Sequence, residues 1–151
     1  MYHSLLLGNE FGDEYTTKLT FCAAFIHDME RLHDGFCKEH GVWAARYALP
    51  KFRDLFISIG VQEMDLDVIV YATTKHSLPD RGFISGIYGN VAKLLKDADG
   101  LDRVRLGDFN PRFLRFPFSK KYVHFAEKFY WKTEKVDIKN FDEVIDIAES
   151  I

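Results

Sequence analysis

The sequence predicts an all-α fold, organised as a single-domain helical bundle. Apolar residues recur at helical spacing in successive segments, and glycine or proline lies between most of those segments. No pair of segments shows the alternating pattern of adjacent strands. A chain of 151 residues is the size of one domain and can bury a core of its own. We therefore expect one domain over residues 1–151.

The boundaries of the predicted helices come from apolar periodicity and from residues that begin or end helices. Pro50 should stop a helix, because proline lacks a backbone donor and clashes with the preceding turn. Gly60 should end the next helix, and Asp65 can cap the one that follows. The predicted helices cover residues 16–29, 39–50, 52–59, 65–76, 91–98, 122–130 and 141–151.

Composition indicates a soluble protein without a membrane anchor. The chain is 47% hydrophobic and 28% charged, and its net charge of −3 gives no general attraction to nucleic acid or to anionic lipid. The apolar stretches are too short to span a bilayer, and the first residues lack the basic start of a secretory signal. Cys22 and Cys37 lack Cys-x-x-Cys spacing, so we expect reduced thiols and a cytoplasmic location.

A basic and aromatic segment, residues 101–135, offers alternative partners. It contains nine Lys or Arg, four Asp or Glu and nine aromatic residues, a mixture that could stack on single-stranded nucleic acid. However, residues 136–151 carry five acidic residues and one Lys, which can pair with this charge. Phe125 and Phe129 also fall on one helical face, which favours core packing. We expect no nucleic-acid partner, and a homodimer formed on these aromatic residues is the other alternative.

Histidine and aspartate residues gather where the predicted helices end or are interrupted. Histidine and carboxylate together form the ligand set of divalent ions such as Mn, Fe, Ni, Co or Zn, whereas a structural zinc finger would need cysteines. The dipeptide His27-Asp28 ends the apolar run that begins at Phe21, where a helix end can bring both side chains onto one ion. The residues collected in this way are His3, His27, Asp28, Asp34, His40, His76 and Asp97.

In this order, the residues resemble the HD-domain metal-dependent phosphohydrolases, and specifically their small stand-alone members. That family's signature is a His, a His-Asp pair and a distant Asp on helices, matched here by His3, His27-Asp28 and the Lys96-Asp97-Ala98-Asp99 segment. Asp34-Gly35, Glu39-His40-Gly41 and Lys75-His76-Ser77 match further family segments. The resemblance covers residues 3–116, with residues 117–151 as C-terminal helices, and implies a helical bundle of the HD-domain type.

The resemblance also implies roles for individual residues. The metal ligands would be His3, His27, Asp28 and Asp97, and a proton would be accepted from water by Asp28 or Asp34. Asp99 and Asp102 are expected to cap the helix or to form ion pairs instead. His40 and His76 could hold substrate phosphate or a second ion, and we favour the phosphate. The residues implied to bind substrate are His40, His76, Lys96 and Arg103.

The function implied is a metal-dependent phosphohydrolase that acts on a phosphate ester or anhydride of a small molecule, for example a nucleotide. A bound Mn, Fe, Ni, Co, Zn or Mg ion lowers the pKa of water toward 7 and neutralises phosphoryl oxygens as charge develops. Two alternatives belong to other classes. One is a non-catalytic binding module stabilised by the metal, and the other is a nucleic-acid-binding adaptor that uses residues 101–135.

Overall fold

The computed structural model describes residues 1–33 and 37–151, and their regular structure is helical. Among these residues no β-strand is found, so the predicted all-α fold is confirmed. The α-helices are α1 (Tyr2–Phe11), α2 (Glu14–Ile26), α3 (His40–Trp43), α4 (Leu49–Ser58), α5 (Leu66–His76), α6 (Ile87–Asp102), α7 (Val123–Thr133) and α8 (Phe141–Glu149). A π-helical segment covers Ala44–Ala48, and 3₁₀ turns cover Glu63–Asp65, Arg103–Leu106, Pro111–Phe113 and Pro117–Tyr122.

Helix α6 is the shared wall of two apolar cores. One side of α6 contributes Val91 and Leu95 to a core that it forms with α2, α4 and α5. Another side contributes Leu94 and Leu101 to a second core, which includes Leu7 of α1 and side chains from α7. Because α6 is apolar on two faces, it lies between the two halves of the bundle.

The sequence explains where helix α2 begins and which of its side chains are buried. The carboxylate of Asp13 accepts a hydrogen bond from the backbone N–H of Thr16 at 2.9 Å, which caps the first turn. Leu19 and Ile26 are fully buried along the same helix. The helix ends at Ile26, so its buried face delivers His27 directly to the interior.

The predicted stop at Pro50 is wrong. The chain stays helical from α3 into α4, and Pro50 lies in the first turn of α4. The preceding turn is widened instead, because the backbone N–H of Leu49 donates to the carbonyl of Ala44, five residues earlier. A turn that is one residue wider leaves room for the proline ring, so the helix continues.

The predicted cap at Asp65 is replaced by a longer-range contact. Asp65 directly precedes α5, but its side chain makes no capping hydrogen bond. Its carboxylate accepts a hydrogen bond from the hydroxyl of Tyr15 at 2.6 Å, which ties the start of α5 to α2. Gly60 ends the preceding turn with φ of 92°, as expected for a glycine at that position.

The sequence also predicted that both cysteines are reduced and that no segment spans a membrane. Cys22 and Cys37 are free thiols, and burial raises the pKa of Cys22 to about 12. In the described ranges, no helix combines the length and the apolar character that crossing a membrane requires.

Candidate metal centre

Four helices bring histidines and carboxylates to one place. His27 and Asp28 follow the end of α2, His40 begins α3, His76 ends α5, and Asp99 lies in the last turns of α6. The side chains of His40 and His76 are 8% and 2% exposed, whereas that of Asp28 is 33% exposed. The site therefore consists of buried imidazole side chains beside a partly exposed carboxylate.

All three histidines are oriented by the same backbone contact. The Nδ1 of His27 lies 2.7 Å from the carbonyl of Ala24, and the Nδ1 of His40 lies 2.7 Å from the carbonyl of Cys37. The Nδ1 of His76 lies 2.5 Å from the carbonyl three residues before it. A carbonyl can only accept, so each Nδ1 carries a proton, and Nε2 presents a lone pair whenever the ring is neutral.

When the rings are neutral, their Nε2 atoms are hydrogen-bond acceptors, and they face one another and an acceptor oxygen of Asp28. Nε2 of His40 lies 2.8 Å from Nε2 of His76, and Oδ1 of Asp28 lies 3.2 Å and 3.6 Å from these two nitrogens. Oδ1 of Asp28 is buried and has no hydrogen-bond partner. Converging lone pairs without a donor repel each other in an interior of low dielectric, and a cation at their meeting point removes that cost.

The separations suit ligands of a shared ion. Donor atoms that bind one ion at about 2.0–2.2 Å lie roughly 3–4 Å from one another. Ligand atoms of His27, Asp28 and His76 all lie within 4.8 Å of each other, and Nε2 of His27 is 3.5 Å from Oδ2 of Asp28. The hydrogen bonds at Nδ1 are the outer contacts that hold histidine ligands in place. The donor set therefore fits a divalent ion.

Asp99 lies beside this cluster and, as expected, takes part in an ion pair. Its Oδ1 lies 3.8 Å from Nε2 of His27. Burial opposes ionisation of Asp99, but the neighbouring His27 outweighs it and lowers the pKa of the carboxyl. Burial likewise opposes ionisation of Asp28, yet a protonated His76 or His27 beside it holds the pKa of this carboxyl well below its usual range. Both carboxylates are therefore ionised at neutral pH.

The predicted ligand Asp97 is committed to the fold instead. It is fully buried, and its carboxylate accepts hydrogen bonds from the backbone N–H groups of Arg115 and Phe116 at 2.8 Å and 2.9 Å. The hydroxyl of Ser119 donates to it at 2.7 Å, and the Arg115 guanidinium lies 3.3 Å away. With both oxygens occupied by these donors, Asp97 anchors residues 115–119 to α6. This arrangement does not support a role as a metal ligand.

His3 is buried but lies outside the group of ligand atoms described above. Its ring packs edge-on against Phe125 and Phe129 of α7. Burial lowers the pKa of His3 to about 4, so the ring is neutral, and its Nε2 is buried without a hydrogen-bond partner. His3 as a ligand stays a prediction.

The remaining predicted site residues have other partners or fall outside the description. Nζ of Lys96 lies 2.7 Å from Asp80, which also binds Arg115, so Lys96 takes part in a structural ion-pair network. The guanidinium of Arg103 pairs with Asp108 at the surface. These partners do not support the substrate-binding roles of Lys96 and Arg103. Asp34, the second candidate proton acceptor, lies outside the described residues.

A cavity of about 380 Å³ opens over Asp28. Arg31 and Arg105 line it together with His33 and Leu32, and Arg31 lies 3.4 Å from Oδ2 of Asp28. Arg105 also binds Asp102 at 2.8 Å. The sequence pattern did not single out Arg31, because only the course of the chain after α2 brings it over the site. Two guanidinium groups at the mouth favour an anionic ligand.

The basic and aromatic segment is largely engaged within the molecule. Phe116, Phe118 and Tyr122 pack against the core that contains Leu94. Several of its cations have carboxylate partners, for example Lys121 with Glu10 at 3.0 Å and Arg115 with Asp80 at 2.9 Å. The absence of a nucleic-acid partner stays a prediction.

Comparisons with family models, with curated proteins and with solved structures found no match for this chain.

The charges in the centre predict a pH-dependent stability for the protein without metal. Burial disfavours protonated His27, but Asp99 and Asp28 outweigh burial and raise the pKa of this imidazole above its ordinary value of 6.5. A raised pKa in the folded state stabilises the protein below the unfolded value and is lost as pH rises through the folded value. We expect the Tm of chelator-treated protein to fall as the pH rises above about 6.5 and through the raised pKa of His27.

The same proton competes with a metal ion for Nε2 of His27, so Mn²⁺ should raise the Tm more at the higher pH. His27→Gln removes the titrating group and serves as the control, because groups elsewhere in the chain are unchanged in it. The expectation is wrong if the Tm of the metal-free protein rises over this range, or if His27→Gln shows the same decline as the parent protein.

Proposed function

We propose that this protein is a metal-dependent phosphohydrolase of the HD-domain type, acting on a phosphate ester or anhydride of a small molecule. One observation carries the proposal: the acceptor atoms of His40, His76 and Asp28 converge, each imidazole turned by its own backbone contact, with no donor between them. A structural role would satisfy these groups with donors. A catalytic metal site instead needs lone pairs held ready.

The ion would be held by His27, Asp28 and His76, with His40 and Asp99 completing the set. His40 and His76 were expected to bind phosphate, but the direction of their Nε2 atoms favours the metal. A neutral ring with Nδ1 protonated has no N–H left to donate to a phosphoryl oxygen. The bound ion, Mn, Fe, Ni, Co, Zn or Mg, would supply an activated water at neutral pH and electrostatic stabilisation of the phosphoryl group.

The chain's own residues provide the anion site and the acceptor for water. Arg31 and Arg105 lie at the cavity that ends on Asp28, so a phosphoryl group entering it meets guanidinium N–H donors. The carboxylate of Asp28 is ionised, and the oxygen that does not bind the ion can accept a hydrogen bond from a water molecule. The phosphoryl group would thus be oriented by the arginines while Asp28 holds the water.

The test is release of inorganic phosphate from a panel of nucleotides and sugar phosphates by purified protein, with each divalent ion added in turn after chelation. We expect release only with metal. Arg105→Ala should raise the KM about tenfold, because one charged hydrogen-bond donor is lost. Arg53→Ala is the matched control, because Arg53 pairs with Glu63 on the exposed side of α4.

Two outcomes would contradict the proposal. Metal bound with no phosphate released from any compound would favour the non-catalytic binding module. Phosphate release that continues after complete removal of metal would exclude the mechanism. Equal KM values for Arg105→Ala and Arg53→Ala would leave the metal chemistry in place but remove the arginine from substrate binding.

A further inference from the structure

A second, apolar cleft lies next to the arginine-lined cavity. It has a volume of about 300 Å³ and is lined by Glu30, Leu32, Trp43 and Tyr47. Leu32 lines both this cleft and the cavity over Asp28, so the two are neighbours that share a wall. A molecule with its phosphate in the cavity can extend past Leu32 into the cleft.

The cleft is also continuous with the metal centre along one helical face. His40, Trp43 and Tyr47 follow each other at spacings of three and four residues, which places them on the same side of the helix. His40 faces Asp28 and His76, so the two aromatic rings continue the line of the site outward. The π-helical turn at Ala44–Ala48 lies between Trp43 and the start of α4, and such turns are frequent at functional sites.

The apolar side chains of the cleft do not pack in either core. Leu32 is 81% exposed and Tyr47 is 49% exposed, although isolated exposed residues of this kind would need no explanation. Here they adjoin Trp43 in one cleft beside a polar site, the arrangement found in small-molecule sites. At the edge, the carboxylate of Glu30 is held by Lys51 at 3.1 Å and can accept an N–H from a ligand.

We propose that the cleft binds a flat, unsaturated ring carried by the substrate whose phosphate enters the arginine-lined cavity. This inference rests on the proposed function and narrows its substrate class to phosphate esters with such a ring, as in a nucleotide. The face of Trp43, and the face of Tyr47 that the Arg46 guanidinium does not cover, favour stacking on a ring of this kind. A sugar phosphate without a base would leave the cleft empty and bind through its phosphate alone.

The experiment compares two ligands, one with and one without the flat, unsaturated base. Binding of adenosine 5′-monophosphate and of ribose 5-phosphate to the Mn²⁺-loaded protein is measured by calorimetry. We expect the ring-bearing ligand to bind about tenfold more tightly. In Trp43→Ala this preference should fall to about twofold or less, while the affinity for ribose 5-phosphate stays unchanged.

Trp131→Ala is the matched control, because Trp131 is 66% exposed on α7 and lines a different surface depression. It should keep the preference of the parent protein. If the parent protein shows no preference, or if Trp43→Ala keeps it, the ring subsite is overturned while phosphate release still supports the phosphohydrolase. If neither ligand binds and no phosphate is released from any compound, the proposed function fails and the subsite fails with it.

Discussion

Replacing Asp28 by alanine should abolish metal binding and phosphate release while the helical content is kept. The carboxylate of Asp28 is the group that reaches all three imidazoles, since its two oxygens lie 3.2–3.6 Å from the Nε2 atoms of His40, His27 and His76. Without it only Asp99, 3.8 Å from Nε2 of His27, is left to supply a negative charge beside these nitrogens. We expect a loss of metal affinity of at least about a hundredfold, the upper range found for outer contacts of a metal site.

The measurement is metal content after equilibration and desalting, together with far-ultraviolet circular dichroism and phosphate release. Asp54→Ala is the control, because it removes the same charge from a side chain that is 93% exposed on α4. Asp28→Ala protein that retains a full equivalent of metal would show that the carboxylate has a structural role only.

Replacing Asp97 by alanine should have the largest effect on stability. The side chain is fully buried and accepts hydrogen bonds from Arg115, Phe116 and Ser119. Its removal leaves the Arg115 guanidinium, which is only 18% exposed, with one carboxylate fewer, and leaves the part-buried backbone N–H groups of Arg115 and Phe116 unpaired. We expect a loss of about 3–5 kcal/mol in the free energy of unfolding, as for a broken buried ion pair.

Asp99→Ala is the matched comparison, since it removes an identical side chain two residues along the same helix. This variant should lose metal affinity and keep most of its stability in chelator, as measured by urea unfolding of both proteins. The reverse result, with Asp97→Ala stable but metal-free and Asp99→Ala binding metal normally, would restore the ligand assignment made from the sequence.

Most of the helices could be predicted because their burial follows a simple period. Leu19 and Ile26 of α2, and Leu94 and Leu101 of α6, are seven residues apart and fully buried, as a helical stripe requires. The continuation through Pro50 could not be predicted, because the wider turn depends on a contact between Ala44 and Leu49 that no composition rule indicates. Proline was correctly identified as a disturbance, but its effect was a wider turn rather than a stop.

The candidate site was predictable as far as which segments meet, but less so for which residues act. His27, Asp28, His40 and His76 are brought together as the sequence order suggested. The roles of Asp97 and Asp99 could not be told apart from the sequence, because both occur in one short acidic segment. Two residues along a helix differ by roughly 200° in direction, so they face different partners. Which partner each aspartate faces depends on the tertiary structure, in particular on where residues 115–119 pack against α6.

The wider turn at Ala44–Ala48 has a consequence for how sequence change reaches the site. A π turn contains one residue more than the α-helix it interrupts, and each helical residue adds about 100° of rotation. The angle between the face of His40 and that of Phe56, which is buried in the core, is therefore set by that additional residue. Loss of a single residue there would leave both helices intact and turn the histidine away from Asp28. The length of this segment is thus coupled to the geometry of the centre.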